Sequence, residues 1–137
     1  MTPILLALIT LGCGGVIRFF SKVAGENDGY GPTYMLAQCI GFAFVASMIH
    51  VIERQHLDLS FRMTGIAIVG GMIGAVGVFA LILGFKMGGE GSILFPISGM
   101  SVVVAVVLSI LVYREPITAS KIVGLALGIG SIVILSR

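Results

Sequence analysis

Five long apolar runs, separated by short polar stretches, dominate the hydropathy pattern of the chain. Each run approaches the roughly 20 residues that a helix needs to cross a bilayer. The runs are continuous, without the alternation of apolar and polar positions that is typical of membrane β-strands. The pattern therefore predicts an all-α polytopic membrane protein with about five transmembrane helices forming one domain over residues 1–137. The predicted helices are residues 3–23, 33–52, 64–85, 92–113 and 119–136.

The stretches between these runs are rich in residues that end helices. Residues 24–32 (AGENDGYGP) and 86–91 (KMGGEG) are dense in turn formers. Residues 53–58 (ERQHLD) form the most polar stretch and predict a water-exposed loop. The sequence Arg-Glu-Pro at 114–116 ends the fourth run, and Pro96 lies in its first turns, where a proline disturbs a helix less than at its centre.

Composition supports a membrane location and excludes several other classes. The chain is 58% apolar and only 10% charged, whereas soluble domains carry about 25% charged residues. A soluble fold of this size would lack the polar groups to cover its surface, but a lipid bilayer removes that need. The net charge of +2, without any basic run, does not indicate a nucleic-acid partner.

The glycines are placed at spacings that bring pairs onto one helix face. Gly70 and Gly74 are four residues apart, as are Gly124 and Gly128. Such faces let helix backbones approach closely in lipid, so the spacing predicts helix packing, either within one chain or between chains. The alternative is that glycine is simply common in membrane helices.

Lysine and arginine show no bias toward one side of the membrane, although they normally concentrate in cytoplasmic loops. With five helices, the side of the N-terminus holds four of them: Arg54, Arg62, Arg114 and Lys121. The other side holds Lys22, Lys86 and Arg137, and also Arg18 if its side chain extends to that interface, which makes four as well. Either the chain inserts in both orientations and pairs as an antiparallel homodimer, or an unseen partner or hydrophobicity fixes one orientation.

Two basic residues lie in the last turns of the first predicted helix. Arg18 and Lys22 are four residues apart and share one face. Ionisable groups inside a membrane helix are costly, at roughly 3 kcal/mol on insertion scales, and are candidates for function. One interpretation is a positive patch that attracts anionic or zwitterionic solutes. The other is that both side chains extend to the interface, which fits Lys22 better than the deeper Arg18.

Three further residues are candidates for binding a substrate. Gln38 is the most polar residue within the second helix and suits a hydrogen bond either to a substrate or to a neighbouring helix. Pro96 frees a backbone carbonyl in the fourth helix, which together with Ser98 could line a cavity. For Ser98 the alternative is a hydrogen bond back to its own helix.

No catalytic, cofactor or metal motif is present in the sequence. Cys13 and Cys39 lie in apolar runs without a CxxC or Cys/His cluster and are interpreted as small buried thiols. HExxH and P-loop motifs are also absent. We therefore expect neither an enzyme nor a cofactor.

From Leu83 onward the sequence resembles a repeat of the drug/metabolite transporter superfamily, specifically the EamA-type unit. The stretch reads LGFKMGGEGSILFPISGMSVVVAVVLSILVYREPITASKIVGLALGIGSIVILS. The resemblance rests on a glycine-rich loop, an early proline, an acidic residue and a glycine-spaced last helix; these are Gly88 to Gly91, Pro96, Glu115, and Gly124 with Gly128 and Gly130. Gly15 followed by Lys22 also fits the pattern, so the resemblance covers one five-helix repeat.

The resemblance implies a secondary transporter or permease of the bacterial or archaeal cytoplasmic membrane that carries a small metabolite or drug. Most EamA-type proteins have two such repeats, and the resemblance implies that single-repeat members work as dimers. The expected partners are the bilayer, a small-molecule substrate, and a second chain, as an antiparallel homodimer or a heterodimer with a paralogue. The alternatives are a non-transporting scaffold subunit and a subunit of a lipid-linked substrate flippase.

The distribution of acidic residues argues against one transport mechanism. The related small multidrug resistance transporters have a membrane-embedded glutamate in their first helix. Here all six Asp and Glu residues lie in or beside predicted loops. Proton-for-cation exchange at a buried carboxylate is therefore not expected.

Overall fold

The computed structural model describes residues 2–54, 60–114 and 118–135, apart from the side chains of residues 121, 132 and 135. Every regular element in these ranges is an α-helix, which confirms the predicted fold class. The helices are α1 (Pro3–Glu26), α2 (Gly31–Glu53), α3 (Phe61–Lys86), α4 (Gly91–Gly99), α5 (Ser101–Tyr113) and α6 (Ala119–Leu135). The core of the predicted polar loop (residues 55–59), Glu115 and Arg137 lie outside the described ranges.

The described helices have the lengths that a bilayer requires. Helices α1, α2 and α3 and the segment Gly91–Tyr113 are each long and apolar enough to cross a membrane. Helix α6 has 17 residues, which gives about 25 Å at 1.5 Å per residue. The chain is therefore a multi-pass integral membrane protein.

The predicted fourth helix is not continuous, which corrects the expectation of a single helix over residues 92–113. Helices α4 and α5 are separated by a turn at Met100. The Met100 N–H is shared between the carbonyls of Pro96, at 3.2 Å, and Ile97, at 3.1 Å. This sharing tightens the chain locally toward 3₁₀ geometry. Gly99 precedes the turn and, as a poor helix former, adds to the interruption.

The chain divides into two compact units, Met1–Met87 and Gly88–Arg137. In the first, the end of α1 packs against the end of α3, and the start of α2 packs against the last turns of α3. A Cβ at Gly25 of α1 would lie 2.6 Å from Phe85 Cβ and 2.8 Å from the Ile82 carbonyl oxygen. A Cβ at Gly31, the first residue of α2, would lie 2.9 Å from the ring of Phe79. Only glycine permits this approach of the three helices.

The α1–α2 turn is built on a residue in the left-handed conformation. Asp28 has φ +55°, a conformation in which glycine is the usual residue. Its N–H donates to the Gly25 carbonyl at 3.3 Å, and the Gly29 N–H donates to the Ala24 carbonyl at 2.9 Å. This pair of bonds is a Schellman motif, which ends α1 three residues later than the sequence predicts.

Burial in the first unit is concentrated at the end beside this turn. Its buried residues are Ser21, Gly25, Gly31, Ile82 and Phe85. The expected packing face of Gly70 and Gly74 is open, because no heavy atom among the described residues lies within 4 Å of a Cβ built at either glycine. The first unit is therefore tightly packed at one end, and its glycine face on α3 meets no neighbour among the described residues.

The second unit packs α4 against α5 and α6. A Cβ at Gly128 of α6 would lie 3.7 Å from the Met100 sulfur, which is ordinary contact, whereas Gly124 faces open space in the described structure. Of the predicted glycine face on this helix, Gly128 alone therefore meets a neighbouring side chain among the described residues.

Candidate solute-binding site

Three ionisable side chains are spaced one turn apart along the last part of α1. The Lys22 ammonium lies 3.3 Å from a carboxylate oxygen of Glu26. Arg18, one turn earlier, is half-buried and has no ion pair or hydrogen bond to any described residue. The pairing of Lys22 supports a structural role at the interface, and Arg18 remains the stronger candidate for binding.

The other carboxylate at this end of the first unit is also occupied. Asp28 lies 3.7 Å from the Lys86 ammonium at the end of α3. Arg18 is eight residues before the end of α1, which places it about 12 Å along the helix axis from that end. In the described part of this unit, Arg18 is therefore an uncompensated cation well inside a membrane-spanning helix.

The position of Arg18 on the helix explains its partial burial. Gly25, seven residues later, is rotated by only about 20° from Arg18 at 3.6 residues per turn. Since Gly25 contacts α3, Arg18 lies two turns earlier on the side of α1 that faces α3. A half-buried guanidinium presents planar donors suited to a carboxylate or phosphate.

A separate cleft opens between α1 and α2 and contains Gln38. Its volume is about 450 Å³, within the range usual for small-molecule sites. Gln38 and Tyr34 contribute from α2, and Asn27 contributes from the end of α1. The remaining lining is apolar or backbone: Phe20, Val23, Ala24, Gly29 and Ala37.

The polar groups of this cleft are only partly satisfied within the chain. The Asn27 side-chain amide donates to the Val23 carbonyl at 2.8 Å. Gln38 is half-buried, and the described residues give its amide no hydrogen bond, so the predicted bond to a neighbouring helix is not made within them. The Gln38 amide is thus open to a solute.

Within the first unit, the structure does not bring Arg18 and Gln38 together. The α1 residues that line the cleft are centred about 190° around the helix axis from Arg18. Lys22 is only about 40° around the axis from Arg18. Arg18 and Lys22 therefore lie on the opposite side of α1 from the cleft that contains Gln38. A single site cannot use Arg18 and Gln38 within one copy of the first unit.

Pro96 and Ser98 lie in α4, in the second unit. Both are half-buried. The Ser98 hydroxyl donates to the Phe95 carbonyl at 3.0 Å, the bond back to its own helix that the sequence left as an alternative. Pro96 lacks an N–H, so the Ser92 carbonyl four residues earlier loses its helical donor. The freed carbonyl expected from the sequence therefore lies in the first turn of α4.

Two residues of the cleft were not predicted from the sequence. Tyr34 is four residues before Gln38, a spacing that puts both on one face of α2 and could have indicated the pair. Asn27 was interpreted as part of a turn, and nothing in its spacing placed it beside α2.

The described residues contain no group of three or more His, Cys, Asp or Glu side chains arranged to hold a metal ion. Cys13 and Cys39 are both exposed on the surface of their helices, so the expectation of buried thiols is wrong within this chain. A helix surface that faces lipid or a partner chain does not have to be polar, so an exposed thiol is compatible with a membrane-spanning helix.

Comparison with known proteins relates this sequence to one family of membrane proteins. The model of the EamA-like transporter family matches residues 1–137. An uncharacterized protein of Methanocaldococcus jannaschii is 26% identical over 136 residues, which cover 98% of this chain and 96% of that protein. No solved structure gives a significant match.

Proposed function

Because the chain belongs to the EamA-like transporter family, we propose that it is a secondary transporter of small anionic or zwitterionic solutes, either metabolites or drugs, in a cytoplasmic membrane. The observation that carries this proposal is the half-buried Arg18, which no carboxylate among the described residues neutralises. An arginine inside a membrane helix costs roughly 3 kcal/mol, and a bound anionic group would offset that cost in the loaded transporter.

Arg18 supplies the contact to the anionic group, and Lys22, held by Glu26 at 3.3 Å, acts as a secondary contact at the entrance. Gln38, together with Tyr34, contributes polar groups to the separate cleft on the other side of α1. Pro96 and Ser98 of α4 are proposed to line a part of the transport pathway within the second unit. Solute uptake into vesicles that contain only the purified chain tests this assignment.

We further propose that two copies of this five-helix repeat pair in opposite orientations. Transporter folds commonly enclose their substrate between inverted repeats, and the repeat in this chain would obtain its inverted counterpart from a second copy. The near-equal division of lysines and arginines, with four on one side and three on the other, or four if Arg18 is included, supports insertion in both orientations. A paralogous chain is the other source of the inverted repeat.

Reporter fusions at Arg137 test this arrangement. We expect comparable activity from a reporter active only in the cytoplasm and from one active only outside it. Replacing Arg54 and Arg62 by glutamine leaves two basic residues against three, or against four if Arg18 is included, and we expect the C-terminus to shift to the cytoplasm. Activity from only one reporter in the unaltered chain would contradict dual topology and direct attention to a partner chain.

A further inference from the structure

A groove of about 650 Å³ follows one face of α3 from the residue at which the helix begins. Gly65 and Gly70 are among its lining residues and lie about 140° apart around the helix, with Val69 between them. Nothing among the described residues lies within 4 Å of a Cβ built on either glycine. The side chains of Phe61, Ile66 and Ile73 also line it and are 95%, 61% and 69% exposed. Within the first unit, no described residue covers this surface.

The length of the groove matches one leaflet of a bilayer. Phe61 and Ile73 are twelve residues apart, which is about 18 Å along the helix axis. Half of a hydrocarbon core of about 30 Å is about 15 Å. Because the groove starts at the first residue of α3, it extends from the interface to the region of the bilayer centre.

The mouth of the groove carries a positive charge. Arg62 is the second residue of α3 and the one ionisable side chain among the residues that line the groove. The first turn of α3 contains no acidic residue, so the positive end of the helix dipole adds to the charge of Arg62. An apolar channel of leaflet length that ends at a cation complements an acyl chain attached to an anionic headgroup.

We propose that this groove binds one anionic phospholipid, with its phosphate at Arg62 and an acyl chain along the apolar lining residues from Gly65 to Ile73. The site lies on α3, away from Arg18, and is independent of the transport proposal. A helix from a second copy of the chain is the other occupant that a surface with exposed glycines suits. It would continue past Ile73 along Gly74 and Gly77, and it would leave Arg62 at the interface without a phosphate.

The test is lipid binding to the purified full chain, measured by native mass spectrometry. The probes are phosphatidylglycerol and phosphatidylcholine with identical acyl chains. We expect the chain to bind phosphatidylglycerol about fivefold more tightly, the effect of one basic residue near an anionic headgroup. Arg62→Gln should remove that preference, and Gly70→Leu, which places a bulky side chain in the groove, should weaken the binding of both lipids about fivefold or more.

Two matched variants control the measurement. Arg54→Gln removes a neighbouring cation that does not line the groove, and Gly77→Leu adds the same side chain on α3 beyond the groove. Both should bind the two lipids as the unaltered chain does. Equal affinity for the two lipids in the unaltered chain, or a preference that survives Arg62→Gln, would overturn the proposal. Loss of a dimer in both Gly70→Leu and Gly77→Leu would assign the surface to a second copy and overturn it as well.

Discussion

Replacing Gly25 by leucine is expected to disrupt the packing of α1 on α3 and to destabilise the protein severely. Even the Cβ of alanine would lie 2.6 Å from Phe85 Cβ and 2.8 Å from the Ile82 carbonyl oxygen. Both atoms belong to or adjoin the backbone of α3, so neither can move aside as the end of a flexible side chain could. Overpacking typically costs about 1–3 kcal/mol, and we expect Gly25→Leu to reach or exceed the upper value.

The measurement is thermal unfolding of the detergent-solubilised chain, followed by circular dichroism or by loss of the monodisperse elution peak. Gly15→Leu is the matched control, because it lies on the same helix with nothing among the described residues within 4 Å of its Cβ. Gly25→Ala should fall between the control and Gly25→Leu. Equal stability of the Gly25 and Gly15 variants would show that the close approach of α1 and α3 does not hold the first unit together.

Replacing Arg18 by glutamine is expected to reduce solute transport about tenfold or more. A hydrogen bond to a charged group contributes about 1.5–3 kcal/mol, and each 1.4 kcal/mol corresponds to about tenfold in affinity. Arg18→Lys keeps the charge but loses the planar pair of donors, so it should retain part of the activity. The measurement is initial uptake rate into proteoliposomes at matched protein content.

Lys22→Gln is the control on the same face of α1. Because Lys22 is already paired with Glu26 at 3.3 Å and exposed pairs contribute only about 0–1 kcal/mol, its removal should change the rate by less than about fivefold. If Arg18→Gln transports as well as the unaltered chain, Arg18 only extends to the interface, and the binding role passes to another residue. An equal loss in both variants would assign the effect to the general charge of α1.

The sequence predicted which segments are helices because continuous apolar runs of membrane length have few other solutions in lipid. It placed the end of α1 at residue 23, whereas the helix continues to Glu26. The difference arises from Asp28, whose left-handed conformation permits a Schellman motif. Asp28 adopts a backbone state usually taken by glycine, so residue type alone did not indicate it.

The roles of individual glycines were harder to predict. Spacing singled out Gly70 and Gly74, which face open space among the described residues, whereas the close contacts fall on Gly25 and Gly31. These two belong to different helices, and their sequence neighbourhood is typical of a turn. Spacing within one helix identifies faces that permit packing, but which face is used depends on how the helices are rotated relative to each other.

The same limitation applies to the candidate site. That Arg18 and Lys22 share a face follows from their separation of four residues, and the structure has them on the side of α1 that faces α3. That Gln38 lies across the opposite side of α1 depends on the α1–α2 turn, whose direction the sequence did not predict. The pairing of Lys22 with Glu26 could have been predicted from their spacing of four residues.

The central claim is that this chain alone moves small anionic or zwitterionic solutes across a membrane. The most direct test reconstitutes the purified chain into vesicles and measures uptake of radiolabelled amino acids, organic acids and organic phosphates against an imposed proton or sodium gradient. We expect saturable uptake of at least one class, absent from protein-free vesicles and reduced by Arg18→Gln. Vesicles in which the folded chain, inserted in both orientations, carries none of these solutes under either gradient would contradict the account and favour a non-transporting scaffold subunit.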